Sequence, residues 1–241
     1  MQKVKRNHTG GLPLSVNKKW IGWISIVGGI VLWEVFGRIL GFRFLPPFTE
    51  VMVETAQRLD DAKFWQDFLI SMRSLSLGYT SAVVIGVIVG GLIGAYHAFE
   101  YMFEFYVQVL LSTPKLIFAP IMLSLFGAGR ESQVALIILF TIPIIIVNTT
   151  TGVRTVKQSW VEMARSFGAS EWQIFTKILL PGAAPLLLLS LSLGLTRAVK
   201  GMVAGEMFIA IVGIGAQLRR YGSRFDVAGT WSILVIIVLF S

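Results

Sequence analysis

Two uninterrupted apolar runs constrain this chain more than anything else in it. Residues 74–99 contain no acidic or basic side chain except His97, and residues 132–153 contain none at all. Each is at least as long as the ~20-residue helix that crosses the hydrocarbon core of a bilayer. Backbone amides find no water there, so a lone spanning segment satisfies them within a helix. The remainder is of the same kind: 55% of the 241 residues are hydrophobic and 14% charged, where a soluble domain carries about a quarter charged residues. The sequence therefore reads as an all-α membrane protein, a polytopic helical bundle of about six transmembrane helices. No length is left for a soluble catalytic domain.

Composition also limits the chemistry. Cysteine is absent, which removes disulfides, thiolate metal sites and cysteine nucleophiles. The only histidines are His8 and His97, and no H-E-x-x-H pair occurs, so no metal site and no catalytic constellation is identified. There is no G-x-x-x-x-G-K-[ST] loop; any ATP chemistry has to come from a partner, and the chain is read as non-enzymatic with no cofactor of its own. The net charge of +8 fits membrane orientation and contact with anionic lipid. Without a basic stripe interleaved with aromatics, nucleic acid is not an expected partner.

Residues 1–19 are polar and carry five Lys/Arg with no apolar core, which reads as a cytoplasmic tail ahead of a transmembrane domain at 20–241. The first span runs over residues 20–40, interrupted by Glu34 and Arg38; Glu34 is expected to bridge helices or reach an interface. Pro46 and Pro47 then force an extended approach to the next element. Residues 48–73 mix charged and apolar positions and are expected to form amphipathic interfacial or extramembrane helices. In the second span, Gly86, Gly90 and Gly94 fall on one face, a spacing that lets a neighbouring helix approach closely.

A third span over residues 105–126 contains Pro114, Lys115 and Pro120. Prolines at membrane depth free carbonyls that neighbours or cavity water must satisfy, so this helix is a candidate for pathway lining or bending. The fourth span is 132–153, with Pro143 inside it. The fifth resumes at Ile178 and meets Arg197, Lys200 and Glu206, where charge usually faces the bundle interior or water. The last fifteen residues, from Val227, start a sixth span too short to cross as a helix, an expectation of truncation. With the tail cytoplasmic, residues 159–181 lie on the same side after four spans.

That polar stretch, SWVEMARSFGASEWQIFTKILLP, interrupts the apolar runs. Ser159 stands three residues before Glu162, and Ser170 three before Gln173, the spacing of a capping box at a helix start. Gly168 between them is suited to the left-handed residue that ends a helix. The result is a helix, a glycine turn and a second helix, closed by Pro181. Trp160, Met163, Phe167, Trp172, Ile174 and Phe175 supply more apolar surface than so short an element needs, which marks it for docking.

This stretch resembles the EAA motif of permeases from binding-protein-dependent ABC importers. Glu162, Met163 and Ala164 stand for E-A-A, Gly168 follows at the motif's distance, and Ile178, Leu180 and Pro181 complete I-x-L-P. The segment STPKLIFAPIMLSLFGAG is similar to the family's third span. FLPP and RAVKGMVAGEM resemble the nitrate, sulfonate, taurine, bicarbonate and pyrimidine-precursor branch. Met163 is a departure within the triplet. The resemblance implies that 159–181 is a cytoplasmic coupling helix pair seated in a groove of a separate ATPase. Glu162, Ala164, Arg165, Gly168, Ala169, Trp172, Ile178 and Pro181 would be the coupling residues. It further implies a multi-pass protein of the cell inner membrane, paired with a second permease as a homodimer. A pair of ATPases using ATP and Mg and an extracytoplasmic solute-binding protein would complete the transporter. The implied function is import of a small solute, anionic or a small organic precursor, by alternating access.

Pro114, Lys115, Pro120, Arg197, Lys200 and Glu206 are the pathway or gating candidates, and the three cations suit an anionic solute. Glu206 is a conceivable partner for Lys200, although their six-residue separation is off the helical contact spacing. The alternative reading is an ion-coupled secondary transporter or channel. That class predicts repeated halves with matching broken helices, and no second copy of the insert or of the proline-bearing span is seen. A membrane-embedded enzyme lacks its constellation, and a purely structural subunit has no need of a docking insert.

Overall fold

One helix, α6 (Arg130–Arg154), organises the bundle by lying between α3 (Ala62–Ala95) and α10 (Ala184–Phe208). The structure, a computed structural model, describes residues 18–39, 44–209 and 212–240, so most of the tail and Arg43 lie outside the described residues. Among those described, all regular structure is helical. α3 and α6 run parallel, with Gly78 facing Ile137, Gly86 facing Ile145 and Gly94 facing Val153, and α10 returns antiparallel to both.

The close approach is built from glycine. A Cβ on Gly86 would stand 2.7 Å from Ile145, and one on Gly90 would stand 2.6 Å from the Ile146 carbonyl oxygen. Ile145 also fills the space over Gly194 of α10, and Ile137 lies between Gly78 and Gly201. Two isoleucines of α6 are thus each held between a glycine of α3 and a glycine of α10. Lipid is as apolar as isoleucine, so helices associate in it through close packing rather than through release of water. Gly78, Gly194 and Gly201 carry no signal in the isolated sequence because their meaning lies in the facing helix.

The remaining elements surround this trio. α1 (Lys18–Ile39) meets α2 (Phe48–Leu59) at the proline corner, where Trp33 Nε1 donates to the Pro46 carbonyl at 3.0 Å. Glu34 binds Arg38 and accepts from the Thr49 amide at 2.9 Å, bridging α1 to the first turn of α2. Among the described residues four helices, α1, α3, α6 and α10, are long and apolar enough to cross a membrane, and the bent pair over residues 97–126 makes a fifth if it is one span. α12 (Val227–Phe240) is apolar but has 14 residues.

Two sequence expectations change. Residues 62–73 are not a separate interfacial helix; they form the first turns of α3, which runs unbroken for 34 residues. Asp67 and Ser71 among them are buried and bonded by α11 (Ile214–Ser223), while Lys63, Gln66 and Arg73 stay exposed. The third span is not one helix over 105–126. Helix α4 starts at His97 and ends at Ser112, and after a 3₁₀ turn (Lys115–Phe118) α5 (Ala119–Phe126) leaves at a 99° bend. Pro114 stands at the break, whereas Pro120 occupies the first turn of α5, where a proline costs no hydrogen bond.

Candidate functional site

The polar insert forms α7 (Gln158–Ser166) and α8 (Glu171–Ile174). The chain turns between them at Gly168, whose φ is 78°. Its amide donates to the Arg165 carbonyl at 2.9 Å, and the next amide, of Ala169, donates to the Ala164 carbonyl at 3.0 Å. Those two bonds close the carbonyls left open at the end of α7. A Cβ at Gly168 would meet nothing within 4 Å; glycine is required there by backbone conformation.

At the start of α8 the capping box is complete: Gln173 N donates to Ser170 Oγ at 3.3 Å, and Ser170 N to Gln173 Oε1 at 2.8 Å. The corresponding box at Ser159 and Glu162 is not formed. Lys157 is the N-cap of α7 and no side chain caps that end, so Ser159 falls inside the first turn, past the capping position. Arg165 and Glu171 pair across the glycine turn at 3.1 Å. Glu162, Met163, Arg165, Phe167 and Trp172 are exposed, Phe167 by 86% and Trp172 by 72%.

The opposite side of the insert faces the bundle. Val161 and Ile174 are buried there. Phe175 opens a π-helical turn (Phe175–Leu179) that leads through α9 (Leu180–Gly182), which contains Pro181, into α10. Such turns depart from the regular ladder and occur often at functional sites. A cavity of about 440 Å³ lies between this insert and the junction of α3 and α4, lined by Tyr96, Glu100, Arg154, Arg165 and Phe175 among others. Glu100 joins α4 to the end of α6 through Arg154 at 2.8 Å.

The cationic candidates differ in setting: Lys115 is half-buried, whereas Arg197 and Lys200 are exposed. Lys115 Nζ donates to the Leu111 carbonyl at 3.1 Å, at the end of α4. Arg197 and Lys200 sit on an exposed stripe of α10 with Ser192, Leu193 and Thr196, opposite the buried line of Ser190, Gly194, Ala198 and Gly201. Glu206 is not with Lys200. It is fully buried, and its Oε2 accepts from the Gly215 amide at 2.8 Å, at the start of α11. The loop wraps the carboxylate closely: a Cβ on Gly213, whose φ is 108°, would stand 2.5 Å from Glu206 Cδ. Nearby, Asp67 of α3 accepts from Gln217 Nε2 at 2.6 Å and pairs with Arg220 at 3.2 Å, while Ile214 N donates to Ser71 Oγ at 3.0 Å. Asp67, Ser71, Gln217 and Arg220 were not singled out from sequence; their partners lie about 150 residues apart.

A bundle of apolar helices with a broken span and a polar helix–turn–helix insert between two of its long helices fits a membrane transport permease. Residues 82–241 match the family described as the binding-protein-dependent transport system inner membrane component, and the chain belongs to that family. It is 30% identical over 184 residues to the taurine transport system permease protein TauC of Escherichia coli, covering 74% of this chain and 67% of that one. It is 27% identical over 210 residues to the formylaminopyrimidine transport permease protein ThiX of Halalkalibacterium halodurans, covering 87% and 84%. A match of 34% over 149 residues links it to the nitrate import permease protein NrtB of Synechocystis, covering 60% and 53%. A chain of the inward-facing MetNI methionine ABC transporter shares the fold, with a TM-score of 0.60 at 20% identity over 73% of this chain and 86% of that one. The chain is a multi-pass permease subunit of an ABC importer, a class that works with a solute-binding protein and an ATPase.

Proposed function

We propose that this permease passes a small anion, a sulfonate or nitrate-like oxyanion, from an extracytoplasmic binding protein to the cytoplasm across the cell inner membrane. A small organic precursor is the second cargo class that its relatives support. Two copies of the chain pair around the pathway, and a pair of separate ATPase subunits supplies ATP and Mg chemistry. The tail at 1–19 and the segment 159–181 lie in the cytoplasm.

The observation that carries this reading is the α7–Gly168–α8 turn, which holds Phe167 and Trp172 out from the bundle while Ile174 and Phe175 grip it. An element with one anchored face and one unpartnered aromatic face is built to transmit force to a docked subunit. Glu162, Ala164, Arg165, Gly168, Ala169, Trp172, Ile178 and Pro181 make up the ATPase-coupling surface and its connection to α10. ATP binding closes the ATPases, the insert follows, and the nucleotide's differential affinity shifts the permease between inward-open and outward-open states.

The test is purification of the tagged permease from its own membranes, with mass spectrometry of what co-elutes. A Walker-A ATPase should accompany the wild type and be lost from Gly168→Asp, which still inserts. Retention of the ATPase by that variant would remove the coupling role from the turn. Uptake assays with nitrate and ethanesulfonate on the complete transporter then test the cargo class.

A further inference from the structure

The chain leaves the bundle twice on the side of the insert, and each exit trades apolar residues for polar ones. α3 ends at Ala95 and α4 starts at His97; α6 ends at Arg154 and α7 starts at Gln158. Buried Ile93 and Val153 stand just inside these two corners, and buried Val161 and Ile174 line the same cavity from the insert. These four residues floor a volume of about 440 Å³. Close packing leaves few voids larger than a water in a protein interior, and this one falls in the range of small-molecule sites, roughly 300–1,000 Å³.

Above the floor the walls carry both signs of charge. The bundle wall holds Glu100 and Arg154, paired at 2.8 Å, and the insert wall holds Arg165 and Glu171, paired at 3.1 Å. Glu100 also meets His97 Nδ1 at 3.0 Å. Neither pair is closed to a further partner: the Arg154, Arg165 and Glu171 side chains are 43%, 53% and 53% exposed. A guanidinium has five N–H donors and a carboxylate about four acceptor positions, so each keeps bonding capacity after the pair is made. Tyr96 and Gln158, also on the walls, make no side-chain hydrogen bond among the described residues.

We propose that this cavity is a binding site for a small zwitterion, an ammonium and an acid group on a short carbon linker, held between the insert and the bundle. Apart from His97, the walls carry two guanidinium and two carboxylate groups, with no excess of either sign. A simple anion would face Glu100 and Glu171, and a simple cation would face Arg154 and Arg165, juxtapositions of like charge that reject both. A zwitterion satisfies both sets: its acid group takes guanidinium N–H bonds, its ammonium donates to the open carboxylate positions, and its linker rests on the apolar floor. Tyr96 and Gln158 add neutral hydrogen bonds. One wall belongs to the insert and the other to α4 and α6, so a bound zwitterion ties the insert to the bundle. The inference concerns the insert's side of the protein and is independent of which solute the pathway carries.

The experiment titrates the permease–ATPase complex in lipid nanodiscs by calorimetry, without binding protein. β-Alanine and 2-aminoethanesulfonate should bind saturably, whereas propionate, ethanesulfonate and ethylammonium, each lacking one charge, should bind at least about tenfold more weakly. Arg154→Gln and Glu100→Gln should each lower the zwitterion affinity by about tenfold. Tyr96→Phe and Gln158→Ala, which leave both ion pairs intact, should lower it severalfold. Ala95→Trp, which fills the cavity, should abolish binding while the ATPase still co-elutes. In the complete transporter, saturating β-alanine should reduce ATP hydrolysis stimulated by loaded binding protein, and should not do so in Ala95→Trp. Absence of binding by both zwitterions, or equal binding of the singly charged analogues, overturns the proposal. Zwitterion affinity that is unchanged in Ala95→Trp and Tyr96→Phe overturns it too, placing the binding elsewhere in the complex. ATP hydrolysis that saturating zwitterion leaves unchanged overturns the tie between insert and bundle.

Discussion

The ring of Phe175 rests directly on Gly91: a Cβ added to that glycine would stand 2.7 Å from Phe175 Cζ. Phe175 is the first residue of the π-helical turn below the insert, and Gly91 lies in the last turns of α3. The insert and the longest helix of the bundle therefore meet through one aromatic edge and one bare backbone.

Filling that contact tests whether it transmits motion. Gly91→Ala should leave the permease inserted and bound to its ATPase, but weaken the stimulation of ATP hydrolysis by solute-loaded binding protein. Overpacking of this kind costs about 1–3 kcal/mol. Phe175→Leu, added to Gly91→Ala, should recover part of the stimulation, because the smaller side chain returns the space. ATPase assays on the reconstituted single and double variants check this. Equal stimulation in wild type and Gly91→Ala would mean that force takes another route.

The seam between α3 and α6 predicts a graded response to glycine substitution. At Gly90 the nearest obstacle is the Ile146 carbonyl oxygen, a backbone atom that cannot swing aside. Gly90→Ala should lower the thermal stability in detergent strongly, by several degrees. Gly222→Ala, where nothing lies within 4 Å, should leave it unchanged or slightly raised, since alanine favours helix by ~1 kcal/mol. Thermal unfolding followed by size-exclusion chromatography compares the two.

Asp67 is 6% exposed and holds both Gln217 and Arg220. Removing the carboxylate strands Gln217 and the partly exposed Arg220 together, whereas removing Arg220 leaves the buried carboxylate its Gln217 donor. Asp67→Ala should therefore destabilise by about 3–5 kcal/mol, the scale for breaking a buried pair, and Arg220→Ala by less. Proteolysis within residues 212–226 should rise first in Asp67→Ala. Equal protection in both variants would show that α11 is held by its apolar contacts alone.

Ser170→Ala removes the capping side chain of α8 and should cost ~1 kcal/mol. Ser159→Ala should cost nothing comparable, because that hydroxyl caps no helix here. Stability measurements on the two variants separate two serines that look alike in sequence.

That last pair illustrates what the sequence carried and what it did not. The glycine turn and the second capping box are local patterns, and Gly168 and Ser170 stand as their spacing implies. The first box has the same spacing, yet the helix starts at Gln158 after Lys157, so a pattern of residue types did not fix where the helix begins. The long apolar runs gave α6 and α10 because the medium dictates their form. The first turns of α3 read as a separate helix because Asp67 and Ser71 look like surface residues until α11, far along the chain, covers them. Pro114 and Pro120 announced a disturbed helix, but not that one would make the bend and the other begin a new helix. Glu206 looked like a counter-ion for Lys200 along its own helix, and it serves instead the amide of Gly215 in the following loop.

Helix α3 is one piece for 34 residues, about 50 Å at 1.5 Å per residue. Near one end Phe175 leans on it; near the other Asp67 and Ser71 hold α11. No loop and no proline interrupts it. The insert and α11 are consequently joined by a strut rather than by a relay of separate contacts. An unbroken helix with Phe175 against Gly91 and α11 bonded at Asp67 and Ser71 would carry a push at one end to the other as a change of tilt.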